Sequence, residues 1–392
     1  MTNLPQGWEV KKLEEIANIK GGKRLPKGKN LLDNNTKFAY IRVADFQDNG
    51  TINLQNIKFI NENTYNVLKN YKIYDDNLYI SIAGTIGKSG IIPKELNGAI
   101  LTENAVKLEY IQNNISNKFM YFFTLSNIFK TQIQTSTKIV AQPKLAITRL
   151  KQIQIPLPPL KEQERIVGIL DESFAKIDES IKILEQDLLN LDELMQSALQ
   201  KAFNPLKDNA KENYKLPQSW EWKSLEEISE NISAGGDKPK NCTESKTAKN
   251  QIPVYANGVN NNGLVGYTDK ATIIKPSLTI SARGTIGFVC IRKEPYFPIV
   301  RLISLIPCEN ILCLHYLYFC LNFFIAKGEG SSIPQLTIPK FKSLQIPLPP
   351  LKEQEQIAEH LDFVFEKAKA LKELYTKELK DYEELKQSLL NK

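Results

Sequence analysis

At 392 residues and 42% hydrophobic, the chain exceeds one ordinary domain and carries enough apolar side chains for two or more cores, which excludes a disordered protein. Its net charge is +7, and its two histidines and five cysteines contain no CxxC pair, which argues against zinc sites and disulfide frameworks. The most apolar run, residues 311–325, is interrupted by His315 and Asn322 and is too short to span a bilayer; the start, MTNLPQGWEVKKLEEI, is polar and unlike a signal peptide, so a reducing cytoplasm is the expected setting.

In chain order, Trp8 to Ile19 is predicted as a short entry helix stopped by Gly21 and Gly22. Strand character follows at Phe38–Val43, Leu78–Ala83, Ser89–Ile92 and Ala105–Glu109. Ser116 is placed to cap a helix running to about Gln132, and Lys151 to Ile155 reads as a last strand. Pro156, Pro158 and Pro159 then hold the chain extended. Glu162 and Glu164 put negative charge at the positive end of a long helix. Residues 204–215 are a polar linker. The second half repeats the order, with an entry helix near Trp222, strands near Ile252, Thr272, Leu278, Val289 and Arg301, and a buried helix from about Ile311.

The repetition is literal in places. LPQGWEVKKLEEI returns as LPQSWEWKSLEEI, SIAGTIG as SARGTIG, and IPLPPLKEQE occurs at Ile155 and again at Ile346. The fold class is therefore α+β. Two pseudo-repeated mixed α/β units, residues 1–155 and 216–346, are each followed by a Pro-rich joint and a long helix, within 156–203 and 347–392. In the helices, apolar residues recur in steps of three and four, the seam of a coiled coil. Ile166, Leu170, Ile177, Leu184, Leu188 and Leu191 are assigned to pairing on the first, and Ile357, Leu361, Ala368, Tyr375, Leu379 and Leu385 on the second. The second seam is less regular, with Lys372 and Lys386 where the first has Ile181 and Met195. The two helical segments together carry −7, so the remainder carries +14, the electrostatic footprint of a polyanion binder.

No catalytic or metal-binding set emerges. GTIG at Gly84 and Gly284 lacks the spacing and Lys-Ser/Thr ending of a phosphate loop. It reads as a hairpin turn needing flexible glycines, with a backbone approach to DNA as the sharper alternative. Asn204-Pro205 is not followed by the Pro-aromatic pair of an amino-methyltransferase, and no Ser/His/Asp or Cys/His set repeats. The candidates are instead basic and aromatic residues on the diverged loops. In the first unit they are Lys23, Arg24, Lys27, Lys29, Tyr40, Arg42, Lys88, Lys138, Gln142 and Lys144. In the second they are Lys238, Lys240, Lys246, Lys249, Arg283, Arg301 and Gln335. Lysines can neutralise phosphates, and arginine and glutamine can read base edges.

Two units with LPxxWExKxLEEI starts, each ending in PLPPLKEQE and a long helix, resemble the specificity subunit of type I restriction–modification enzymes over essentially the whole chain. The resemblance implies two target recognition domains that read the halves of a bipartite, asymmetric sequence in double-stranded DNA. It implies antiparallel helices that act as a ruler for the spacer. Two methyltransferase subunits and translocating nuclease subunits would be partners, with S-adenosylmethionine, ATP and magnesium bound by them and not by this chain. A specificity subunit of an enzyme with fused methylase and nuclease, and a stand-alone DNA-modifying enzyme, are the alternatives left open. The target sequence is not legible.

Overall fold

One framework of elements is used twice, opening on a strand and closing on a long helix, with different elements inserted between. The computed structural model describes residues 4–136, 144–207, 219–325, 328–329 and 336–391. The first pass comprises β1 (Glu9–Lys12), α1 (Leu13–Ile16), β2 (Ala17–Gly21), β3 (Ala39–Ile41), β4 (Lys58–Phe59), α2 (Glu62–Leu68), β5 (Lys72–Ile73), β6 (Leu78–Ser81), β7 (Ser89–Ile91), β8 (Ala99–Leu101), β9 (Ala105–Tyr110), α3 (Asn117–Leu125), α4 (Asn127–Ser136), α5 (Ile147–Lys151), β10 (Gln154–Leu157) and α6 (Leu160–Lys207). The second comprises β11 (Glu221–Ser224), α7 (Leu225–Ile228), β12 (Ser229–Ala234), β13 (Ile252–Tyr255), β14 (Leu264–Thr268), β15 (Ser277–Ile280), β16 (Thr285–Ile286), β17 (Val289–Arg292), β18 (Phe297–Pro298), β19 (Ile303–Pro307), α8 (Leu314–Phe324), β20 (Gly328–Glu329), α9 (Ile338–Lys342), β21 (Gln345–Leu348) and α10 (Leu351–Leu389). The chain divides into two compact units: Met1–Ile183 with Glu378–Lys392, and Leu184–Lys377.

In the first unit a four-stranded sheet of order β2-β9-β6-β7 lies beside a second of order β4-β3-β8-β5. The strand LYIS is buried along its whole length because both of its faces are covered. Leu78 and Ile80 join Val106, Leu108, Met120 and Phe123 in one core. Tyr79 points the other way, into a core with Ile41, Phe46, Ile73 and Leu101. In the second unit the sheet β12-β19-β15-β17 packs on α8 through Leu278, Ile280, Leu305, Tyr316, Leu317 and Cys320. A smaller sheet, β14-β13-β18, lies alongside.

Several predicted elements change identity. The entry helices are strands for most of their length. Glu9–Lys12 pairs antiparallel with Gln154–Leu157, and Glu221–Ser224 with Gln345–Leu348, so each unit is closed start to finish. Only LEEI keeps one helical turn, burying Leu13 and Ile16, and Leu225 and Ile228. The glycines after it are not a helix stop. A Cβ on Gly22 would collide with the Thr102 carbonyl, and one on Gly235 would lie 2.6 Å from the Ile299 nitrogen. Close backbone approach requires glycine there.

Ser116 does cap a helix, accepting from the Phe119 N–H at 3.3 Å. That helix breaks at Ser126, whose hydroxyl donates to Phe123 O (2.7 Å) and accepts from Phe129 N–H (3.4 Å), ending α3 and starting α4. The last strand begins three residues later than predicted, because Ile147–Lys151 is helical. It contains Pro156, which a strand with one partner tolerates. Near Thr272 there is an isolated bridge, Ile273 to Tyr296, and no strand. Helix α6 runs to Lys207, through the first four residues of the expected linker.

The long helices pair. In the second unit Lys372 forms an ion pair with Asp192, and Leu199 and Phe203 share a core with Ala358 and Leu361. Numbers rise along α6 as they fall along α10, so the helices are antiparallel. In the first unit Lys386 forms an ion pair with Asp178 and lies over the Phe174 ring, 5.9 Å from its centroid. Both ion pairs share one register, since 192 with 372 and 178 with 386 each sum to 564. Of the residues assigned to pairing, Leu170, Ile177, Leu184, Leu191, Leu361 and Ala368 are buried. Ile166, Leu188, Ile357, Tyr375 and Leu379 are partly buried. Leu385 is 44% exposed and is a correction. The covered residues of α10 include 354, 358, 361, 365, 368, 372, 375, 379, 382, 386 and 389, a stripe in alternating steps of four and three, with further covered positions such as Ile357 only near its start. That places Lys372 and Lys386 on the seam and turns Leu385 outward.

Candidate nucleic-acid interface

Strand direction gathers three loops at one end of the first unit's sheet. Strand β2 ends where β9 begins (Gly21 opposite Val106), and β6 ends at the same place (Ser81 opposite Ala105). The loop after β2, the β8–β9 turn and the β6–β7 hairpin turn therefore emerge together. Backbone bonds hold them: Gly22 N–H to Ala105 O (3.0 Å), Lys23 N–H to Leu101 O (2.9 Å), Ile82 N–H to Asn104 O (2.8 Å) and Leu145 N–H to Ile82 O (2.9 Å). GTIG is the hairpin turn, with Gly84 at φ 77° and Gly87 at φ 89°. The Ser81 hydroxyl accepts from Lys88 N–H at 2.9 Å and donates to Thr85 O.

The second unit builds the same end. Ala234 and Ile280 both lie opposite Ile303. Gly235 N–H reaches Leu302 O (2.8 Å), Leu336 N–H reaches Ala282 O (3.2 Å), and the second GTIG has φ 70° and 79° at its glycines. One link differs. The Ala282 N–H donates to the side chain of Asn257 (2.8 Å), and the Asn257 amide donates to Val300 O (2.7 Å).

The residues singled out in the sequence divide against this geometry. Lys23, Arg24, Lys88 and Lys144 come to the shared end of the first sheet. Lys144 does so through a bridge to Ala83, beside GTIG. Lys27 and Lys29 are exposed on the same loop, around Gly28 at φ 81°. Arg24 is held by Glu103 at 2.6 Å. Burial raises the Glu103 carboxyl pKa, but hydrogen bonds from Arg24, its own backbone and Thr102 outweigh it and leave the pKa below its ordinary value. Lys88 reaches Asp48 at 2.7 Å.

Two candidates are corrections. Tyr40 is 4% exposed and its hydroxyl donates to Lys23 O (2.8 Å), so it supports the loop from below and presents no face. Arg42 is forked onto Asp45 (3.0 and 2.5 Å) and also donates to Asn56 O (3.0 Å), which leaves its guanidinium occupied. In the second unit, Lys238, Lys240, Arg283 and Arg301 are exposed on loops of the shared end. Lys246 lies over Tyr267 of the smaller sheet, 5.6 Å from the ring centroid, with Lys249 exposed nearby in sequence. Lys138, Gln142 and Gln335 lie outside the described residues.

What sequence reasoning missed is the glutamine of KEQE. Gln163 is 1% exposed; its carbonyl accepts from Ser116 N–H (2.8 Å), and its amide donates to Asn114 O (3.0 Å) and Pro158 O (2.9 Å). Gln354 is fully buried and repeats this with Cys313 N–H (2.9 Å), Ile311 O (2.9 Å) and Pro349 O (2.8 Å). Each glutamine ties the Pro-rich joint, the long helix and the start of α3 or α8 into one body. Its literal repetition was the available signal. The aromatic pairs Phe122–Phe174 (5.6 Å) and Phe319–Phe365 (5.2 Å) anchor the same helices in both copies.

Comparison with known proteins gives a consistent picture. The type I restriction modification DNA specificity domain matches twice, over residues 5–188 and 217–380. A Mycoplasma pneumoniae protein named as a type I specificity subunit is 29% identical over 357 residues, covering 90% of this chain and 87% of that one. The EcoBI specificity subunit of Escherichia coli is 29% identical over 205 residues, 51% of this chain and 42% of that one. Among solved structures, one from work on complex assembly and conformational transition of the type I R-M system superposes with a TM-score of 0.81 at 19% identity, covering 100% of this chain and 98% of that one. The HsdS subunit from Thermoanaerobacter tengcongensis gives 0.64 at 20% identity, covering 99% and 96%.

Proposed function

We propose the following role for a chain that belongs to the type I restriction–modification DNA specificity family: it is a non-catalytic subunit that selects a bipartite, asymmetric DNA sequence. Each unit reads one half-site with the loops at the shared end of its four-stranded sheet. The observation that carries this is the recurrence, in both units, of a glycine-led basic loop beside a GTIG turn. Lysines there neutralise phosphates and hold register, and arginines are the residues suited to base edges. Divergence of these loops between the two copies supports unlike half-sites and hence asymmetry.

The paired helices set the spacer. Helix α6, with 48 residues, is about 72 Å long. Two methyltransferase subunits and the translocating nuclease subunits dock on this chain. S-adenosylmethionine, ATP and magnesium are bound by those partners and supply the methyl transfer, translocation and cleavage chemistry. The test is co-expression of the full chain with its cognate methyltransferase, followed by sequencing of methylated bases in host DNA. A two-part motif with a fixed gap, absent when the chain is omitted, is expected. Methylation that persists without the chain, or a continuous motif, would overturn the reading.

A further inference from the structure

In the second unit the turn entering β19 carries two consecutive left-handed residues, Val300 at φ 53° and Arg301 at φ 59°. A β-branched residue rarely adopts that conformation, and nothing in burial compensates for it here. Val300 is 51% exposed and Arg301 is exposed beside it. The conformation is held from beneath. Val300 N–H donates to Gly236 O and Arg301 N–H to Gly235 O, both at 2.8 Å, while Val300 O accepts from the Asn257 amide at 2.7 Å. Gly235 admits the close approach because it has no Cβ.

The first unit has the same turn in another form. Ala105 N–H to Thr102 O (3.2 Å) corresponds to Leu302 N–H to Ile299 O (3.1 Å), which matches Glu103 and Asn104 to Val300 and Arg301. There neither residue has a positive φ, and Glu103 closes onto Arg24. In the second unit the acid is replaced by an apolar residue and the asparagine by a cation, and the ion pairs of that unit among the described residues do not include Arg301. A strained, rigidly pinned turn that exposes an apolar side chain and an arginine is organised for contact with something outside the chain.

We propose that Val300–Arg301 is the base-reading finger of the second unit. Arg301 donates two hydrogen bonds to the O6 and N7 of a guanine, and Val300 packs on the neighbouring base, where a thymine methyl is the matching group. The inference rests on the DNA-selecting role above and deepens it to named residues.

The experiment uses the full chain in complex with its methyltransferase, and measures competition binding to DNA probes carrying every single-base change in the parental motif. Arg301→Asn retains a left-handed backbone, and Val300→Gly retains it with less strain. Arg301→Asn is expected to abolish guanine preference at one position of one half-site, with roughly ten- to hundred-fold less discrimination there. The other half-site and the gap stay unchanged, and Val300→Gly relaxes an adjacent position only. Even weakening at all positions, up to complete loss, with a salt slope shallower by about one, would make Arg301 a phosphate contact and overturn the finger. So would an unchanged profile. If the parental complex itself shows no two-part motif, the DNA-selecting role falls, a failure distinct from that of the finger.

Discussion

Replacing Gln163 by leucine conserves approximate volume and removes an amide that makes three hydrogen bonds. Ser116 N–H, Asn114 O and Pro158 O are then left without that partner. The bond to Pro158 O is buried, and the other two are partly so. An orphaned buried group costs about 1–3 kcal/mol. Counting the buried one near the top of that range and the others near the bottom gives about 4–5 kcal/mol, against about 5–15 kcal/mol for a typical domain. For a unit of this size the melting temperature should fall by roughly 10 °C or more. Gln163→Glu tests the bonding directly. A carboxylate still accepts from Ser116 but repels both carbonyls, so this variant should be less stable at neutral pH and recover partly when acid protonates it. Calorimetry of the two variants beside the parent is the assay. A loss for Gln163→Leu of less than about 1 kcal/mol would refute the reasoning, because the motif's glutamine would then be holding nothing that water cannot replace.

The helix pair and the first unit's ion pairs lead to three further outcomes. Lys372→Leu extends the apolar seam of α10 and gives up an ion pair whose partner, Asp192, is 61% exposed; since such pairs are worth about 0–1 kcal/mol, thermal stability should hold or rise, and a clear fall would show the pair to matter more than its exposure implies. Burial raises the Glu109 carboxyl pKa, but Lys107 and Lys20, each at 2.5 Å, outweigh this and lower it. Its contribution to stability is thus complete above about pH 4.3 and disappears as pH falls through the lower folded value. Glu109→Gln should weaken the protein at pH 7 and flatten its acid unfolding curve, and an unchanged acid limb would contradict the assignment. Inserting one heptad at the matched position of both helices adds about 10.5 Å, or roughly three base pairs; mapped methylation should show a longer gap and unchanged half-sites, and altered half-sites would rule out the ruler.

The heptads and the duplicated framework were legible because both are periodic. A seam of steps of three and four identifies its own face, and a repeat identifies its own boundaries. The failures occurred where a partner distant in sequence decides the outcome. Glu9–Lys12 has nothing local against helix, and becomes a strand because Gln154–Leu157 lies beside it. Tyr40 and Arg42 look like ligand-binding residues from composition. Only the fold shows the first beneath Lys23 and the second on Asp45. The lysines at 372 and 386 looked like interruptions of the seam until each met an aspartate across the helix pair. They keep the seam's spacing while giving up its apolarity. A polar residue at such a position favours one register over its neighbours, and the two pairs share one register sum. A slip of α10 by a residue or two would move both lysines away from their aspartates. The defects in the apolar pattern therefore fit a role in fixing the alignment of helices proposed to measure a distance.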